Sequence, residues 1–195
     1  CDAVSLHVPL TSADESPWPT RHMMGRGFLE AFLGTSNDSV RIVVNTSRGA
    51  VVHTPALMHA MSEQPSRLLA AVDVWDDEPR PDPRLVQRCL FATPHVAGSV
   101  IQGRARALVQ VAEALRAFLD LPVPEGWLDG LNVASAGYRV SPGPFSEMEL
   151  DCLAASIGLR EVSLHFKADY CAAQDPGLVF ETVRRQSFRH EVNWK

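Results

Sequence analysis

The sequence predicts an α/β fold built on a parallel sheet. Four short apolar runs of strand length, at residues 4–8, 40–44, 68–74 and 89–92, are separated by segments whose apolar residues recur at helical spacing. The run at 40–44 is β-branched apart from Arg41, which is typical of a strand covered on both faces. Strands that alternate with helices imply crossover connections, and therefore a parallel sheet.

Helices are predicted between these runs. The first carries its apolar residues at 28–33 and ends at Gly34. The second begins with Thr54 as its cap and Pro55 as its first residue, because a hydroxyl can cap free N–H groups and proline suits the first turn.

The second half of the chain changes character after a long helix. Residues 99–119 form an amphipathic pattern, and a stretch rich in proline and glycine follows. Ser146 and Glu149 have the spacing of a capping box, which predicts a helix from there to about residue 157. A further helix is predicted at 180–185.

Composition excludes several classes of function. The chain has 195 residues, 46% of them hydrophobic, with a formal net charge of -5 and no basic stripe, which argues against nucleic-acid binding. No apolar run approaches 18 residues and no signal peptide opens the chain, so we expect a cytoplasmic protein that does not enter a membrane. The four cysteines and seven histidines show no metal-ligand spacing; we expect reduced, mostly buried thiols and no metal.

Three titratable or charged residues, Arg48, Glu78 and His95, each follow an apolar run, so they could converge at one edge of the sheet. The guanidinium of Arg48 can hold a carboxylate through paired hydrogen bonds. His95 can take a hydroxyl proton near neutral pH, and a carboxylate beside it orients the ring and favours its protonated form. This set is what oxidation of a 2-hydroxy acid requires.

The segments that carry these residues, NTSRGAVV, DVWDDEP and ATPHVAG, resemble the D-2-hydroxyacid dehydrogenase family in order and spacing. The opening CDAVSLHVPLT is similar to a strand and loop of the same family. The resemblance covers roughly residues 1–120. It implies that residues 1–98 are the second half of a doubly wound, Rossmann-like NAD-binding domain.

The resemblance also implies roles for individual residues. Arg48 would bind substrate, Glu78 would support His95, and His95 would be the catalytic acid and base. NAD would be the cofactor, with contacts from the residues Val8, Thr46, Ser47, Arg48, Asp73 and Gly98.

The C-terminal tail, residues 121–195, narrows the expected family to one of its branches. GLVFETVRRQSFRHEVNW, at 177–194, is similar to the end of an extra C-terminal domain that mediates dimerisation in that branch. We therefore expect a small α+β homodimerisation domain at 121–195 and a small phosphorylated 2-hydroxy acid as substrate. Ser99 departs from the tyrosine common in that branch at a substrate contact.

The same resemblance implies that the helix at 99–120 crosses towards a substrate domain. That domain and the glycine-rich pyrophosphate loop would precede residue 1, so the chain would be a C-terminal half that binds NAD very weakly alone. Two alternatives stay open. The protein could be another member of the family, acting on 3-phosphoglycerate or on glyoxylate and hydroxypyruvate, or an inactive assembly module.

Overall fold

The computed structural model describes residues 1–34, 39–98, 101–122 and 158–187. Within them lie the strands β1 (Ala3–Leu6), β2 (Arg41–Asn45), β3 (Leu68–Val72) and β4 (Phe91–Ala92). The helices are α1 (Arg26–Leu33), α2 (Thr54–Glu63), α3 (Pro83–Arg88), α4 (Ile101–Phe118), α5 (Leu159–Ala172) and α6 (Pro176–Ser187). The α/β fold and the four strands are confirmed.

The four strands form one parallel sheet in the order β1-β2-β3-β4. Each connection leads to the adjacent strand, always in the same direction across the sheet. Right-handed connections therefore place α1, α2 and α3 on the same face of the sheet. The burial pattern agrees. Val43 and Ala70 are fully buried, whereas their neighbours Ile42 and Leu69 are only partly buried. In the part of the chain that the structure describes, strand β2 is buried on one face and partly buried on the other. The expected cover of the run at 40–44 on both faces stays a prediction.

Most element boundaries differ from the predicted ones by one to three residues. Thr54 is the first helical residue of α2 rather than its cap; His53 occupies the cap position and makes no side-chain capping bond. Helix α3 was not predicted, although its signal is visible in the sequence. Asp82 caps the helix by accepting the Arg84 N–H at 2.8 Å, and Pro83 is its first residue.

The C-terminal helices α5 and α6 pack onto the sheet domain. Phe166, Tyr170 and Phe180 are at most 1% exposed and belong to the same hydrophobic core as the sheet. The Ser163 hydroxyl accepts the Ala92 N–H of β4 at 2.9 Å. Helix α6 contains the predicted 180–185 and is twice as long, while the helix predicted from Ser146 lies outside the described residues.

Three cysteines fall within the described residues, and all three are free thiols, as expected. Only Cys89 is buried; Cys1 and Cys171 are exposed, so the expectation of mostly buried thiols is wrong for these positions. Burial raises the pKa of Cys89 to about 12, which keeps this thiol protonated and unreactive. In the part of the chain that the structure describes, no helix combines the length and the apolarity needed to cross a membrane.

Candidate active site

The sheet register brings four chain segments to one edge. Leu6 pairs with Asn45, Asn45 pairs with Val72, and Val72 pairs with Ala92, so the last residues of all four strands lie in one row. The segments that follow these residues therefore start at the same level, at the carboxyl edge of the sheet. This is the edge where open parallel sheets bind ligands.

Two of the three predicted catalytic residues contact each other at this edge. The Nδ1 atom of His95 lies 2.8 Å from Oε2 of Glu78. A carboxylate can only accept, so Nδ1 carries the proton and Nε2 is the nitrogen left to exchange a proton with a ligand. The two side chains are 29% and 22% exposed, which leaves the pair accessible but partly shielded from water.

Trp75 connects the two members of this pair. Its backbone N–H donates to Oε1 of Glu78 at 2.8 Å, and its indole Nε1–H donates to the Thr93 carbonyl at 2.9 Å. The loop after β3 is thereby tied to the start of the loop that carries His95. Sequence reasoning did not single out Trp75, although a tryptophan buried at a strand end requires an acceptor for its N–H.

Asp73 holds the His95 loop in place. Its carboxylate, which is 3% exposed, accepts bonds from the Thr93 hydroxyl at 2.6 Å, Val96 N–H at 2.8 Å and Ala97 N–H at 3.1 Å. The Asp73 carbonyl accepts the His95 N–H at 2.7 Å. These bonds keep His95 in the left-handed region, at φ 55°. The contact between Asp73 and the nicotinamide of NAD stays a prediction.

Arg48 lies at the same edge, in the loop after β2. Its guanidinium is exposed and donates to the Ser47 carbonyl at 2.7 Å. Among the described residues no ion pair joins it to Glu78, so the structure brings two of the three predicted catalytic residues into contact and leaves Arg48 facing solvent. Asn45 shapes this loop by donating to the Arg48 carbonyl at 3.1 Å and accepting from Ser47. An asparagine directly before Thr-Ser is a recognisable turn signal that the sequence reasoning missed.

Gly49 allows the loops after β2 and β3 to touch. A Cβ atom at Gly49 would lie 1.9 Å from the Trp75 carbonyl oxygen, far inside any permitted contact. Only a residue without a side chain fits between the Arg48 loop and the Glu78 loop. The close approach therefore places the Arg48 loop directly beside the loop that carries Glu78.

The predicted cofactor residues occupy the same edge. Val8 is partly buried just beyond β1, the exposed Thr46 and partly buried Ser47 follow β2, and Gly98 is exposed beyond β4. Ser99, the predicted substrate contact, lies outside the described residues. None of these roles is tested by the geometry, so they remain predictions.

A second histidine–carboxylate contact lies on the Glu78 loop. The Nε2 atom of His22 is 3.2 Å from Oδ2 of Asp76, and the His22 ring packs edge-on against His53 at 4.8 Å between centroids. These contacts of the partly exposed His22 were not predicted from the sequence. Its partners are 54 and 31 positions away in the chain, and no local pattern signals them.

Comparison with known proteins finds one matching family and several relatives. A family model described as "D-isomer specific 2-hydroxyacid dehydrogenase, NAD binding domain" matches residues 1–97. The chain is 40% identical over 141 residues to an erythronate-4-phosphate dehydrogenase of Pseudomonas aeruginosa PAO1, covering 68% of this chain and 35% of that protein. It is 36% identical over 123 residues to the erythronate-4-phosphate dehydrogenase of Hahella chejuensis, covering 63% of this chain and 30% of that protein.

The chain thus spans about a third of the length of these curated relatives. Among solved structures, a glyoxylate reductase from Paecilomyes thermophila matches with a TM-score of 0.46 and 26% identity, covering 60% of this chain and 32% of that one.

Proposed function

Because the chain belongs, through residues 1–97, to the NAD-binding domain family of D-isomer specific 2-hydroxyacid dehydrogenases, we propose that its active site is the Glu78–His95 pair with Arg48. The proposed reaction is the NAD-dependent oxidation of 4-phospho-D-erythronate to 2-oxo-3-hydroxy-4-phosphobutanoate. The step would belong to pyridoxal phosphate biosynthesis in the cytoplasm. The observation that carries the proposal is the 2.8 Å contact between His95 and Glu78 at the carboxyl edge of the sheet.

The residues at this edge fit the nicotinamide end of NAD. Val8 offers backbone groups, and Thr46 and Ser47 offer hydroxyl and backbone groups. Asp73 is buried and supports this edge by holding the His95 loop in place. NAD, when bound, supplies the acceptor for the hydride that leaves C2 of the substrate. The family model for residues 1–97 is itself an NAD-binding domain.

The proton and the hydride leave the substrate by separate routes. His95 takes the C2 hydroxyl proton on Nε2 while the C2–H bond breaks, so the alcohol becomes a ketone. Glu78 then faces an imidazolium, which it stabilises by accepting from Nδ1–H. Arg48 holds the substrate carboxylate, since its planar fork matches two carboxylate oxygens and its charge is permanent.

Substrate choice is tested by steady-state kinetics on the complete gene product. We expect kcat/KM for oxidation of 4-phospho-D-erythronate to exceed that for oxidation of 3-phosphoglycerate by at least about 10²-fold, because a site built to bond a hydroxyl group rejects an analogue that lacks it. A higher kcat/KM for 3-phosphoglycerate would reject 4-phospho-D-erythronate as the substrate and would leave the proposed hydride transfer in place. No turnover of any 2-hydroxy acid would favour the assembly module.

We also propose that the region 121–195 forms a homodimer interface. Truncation is a poor test, because Phe166 and Phe180 contribute to the core of the sheet domain. Leu164 and Leu178 are better targets, since they are 57% and 65% exposed on the same two helices. We expect Leu164→Asp and Leu178→Asp each to weaken the dimer in sedimentation experiments. Unchanged dimer affinity in both variants would contradict this interface.

A further inference from the structure

The C-terminal helices contact the loop that carries Glu78. The Tyr170 hydroxyl donates to the Pro81 carbonyl at 2.8 Å, and both residues are buried. Tyr170 belongs to α5 and is separated from Pro81 by 89 positions in the chain. The contact therefore joins the tail to a point three residues beyond the carboxylate of the acid–base pair.

The loop between Glu78 and Pro81 is short and stiff. Pro79 and Pro81 each have a restricted φ. The Arg80 N–H donates to the Asp77 carbonyl at 2.6 Å, which closes a turn around Glu78. With so little freedom between the two positions, an anchor at Pro81 also limits where the Glu78 carboxylate can lie.

A second contact supports the first. The Arg80 guanidinium pairs with Asp175, at the start of α6, over 3.1 Å, and the Arg80 side chain packs over Gly177. Both charged groups are more than half exposed, so water screens this ion pair and its contribution is small. The buried hydroxyl of Tyr170 is the stronger of the two anchors.

The chemistry of Tyr170 suits a permanent donor. Burial raises the pKa of Tyr170 to about 12, so the phenol keeps its proton throughout the neutral range and beyond. Phe166 packs against the ring in a tilted arrangement, at 5.2 Å between centroids, and helps to hold it in place. Loss of the hydroxyl alone would leave the Pro81 carbonyl without this donor in a buried environment.

We propose that Tyr170 is a positioning residue for Glu78, and that the tail helices thereby set the geometry of the acid–base pair. This inference rests on the proposed function only in assigning Glu78 and His95 to catalysis. Tyr170 acts through the Pro81 anchor and does not touch the reacting atoms.

The test measures the Glu78–His95 contact directly, by NMR on the 195-residue chain at low temperature and neutral pH. The signal is the His95 Nδ1–H proton, whose rate of exchange with water reports how often its bond to Glu78 opens. In Tyr170→Phe we expect this exchange to be roughly 3- to 10-fold faster, the factor that corresponds to one net hydrogen bond.

Leu29→Val is the matched control. It removes one buried methylene from α1, a helix that belongs neither to the Glu78 loop nor to the His95 loop, and such a loss costs about as much as one net hydrogen bond. We expect its exchange rate to stay at the wild-type value while its thermal stability falls about as much as that of Tyr170→Phe. Equal acceleration in both variants would reduce Tyr170 to a general stabilising role and overturn the proposal.

Phe166→Leu keeps the inference falsifiable if Tyr170→Phe does not fold. This substitution keeps the Tyr170 hydroxyl but removes the ring that packs against Tyr170, so the bond to Pro81 is held less firmly. We expect a smaller acceleration of His95 exchange. Wild-type exchange in a folded Tyr170→Phe overturns the positioning role, and so does wild-type exchange in Phe166→Leu where Tyr170→Phe is unfolded. Either result is independent of which substrate the enzyme oxidises.

Discussion

Replacing His95 with alanine in the complete gene product is expected to lower kcat by about 10²- to 10⁴-fold, the contribution of a positioned general base. The dissociation constant for NAD should stay within about twofold, because the imidazole acts on the substrate proton during the chemical step. Rapid-mixing kinetics with cofactor titration separate the two quantities.

His59→Ala is the control for this experiment. His59 is exposed on α2 and lies away from the carboxyl edge of the sheet, so its removal should leave kcat unchanged. If His95→Ala retained turnover within about threefold of the wild type, the Glu78–His95 pair would not be the acid–base centre. An equal loss in His59→Ala would point to damage unrelated to the site.

Gly49→Ala is expected to reduce the free energy of unfolding by about 2–3 kcal/mol, the upper part of the range for overpacking a tight contact. The added methyl group would meet the Trp75 carbonyl oxygen at 1.9 Å, and the nearest atoms that it would meet, in Trp75 and Asp76, all belong to the backbone. One loop must therefore move. Because Arg48 adjoins Gly49, the shift should also lower kcat/KM by about 10²-fold, the effect of an ångström-scale misplacement.

Gly27→Ala provides the matched comparison. A Cβ at Gly27 would meet nothing within 4 Å, and the residue lies in the first turn of α1. We expect this variant to be neutral or more stable by up to about 1 kcal/mol, since alanine favours a helix over glycine. Urea unfolding measures the free energy of unfolding of both variants. Similar free energies of unfolding in both would show that the two loops separate without cost.

The parts of the fold that could be predicted are those with local signals. Each of the four strands coincides with an apolar run, and helix α1 ends where Gly34 predicts. Glu78 and His95, which follow two of these runs, lie within hydrogen-bond distance because a parallel sheet brings the carboxyl ends of its strands to one edge.

The rest depends on contacts between distant segments. Trp75 reaches Thr93 across 18 positions, His22 reaches Asp76 across 54, and Tyr170 reaches Pro81 across 89. Periodicity and capping signals extend over one or two turns of chain, so they cannot specify such partners. The burial of Tyr170 against the sheet domain, rather than in a separate unit, follows from packing that only the folded chain defines.

Because the backbone of His95 is left-handed, selection for stability and selection for activity favour different residues at this position. Residues other than glycine incur a conformational cost there, although histidine is among those that tolerate it best. A glycine would relieve that cost and would also remove the proposed proton acceptor. Variants selected only for thermal stability should therefore drift away from histidine here, whereas selection for turnover should retain it. If the proposed role of His95 holds, stabilising designs should leave residue 95 untouched.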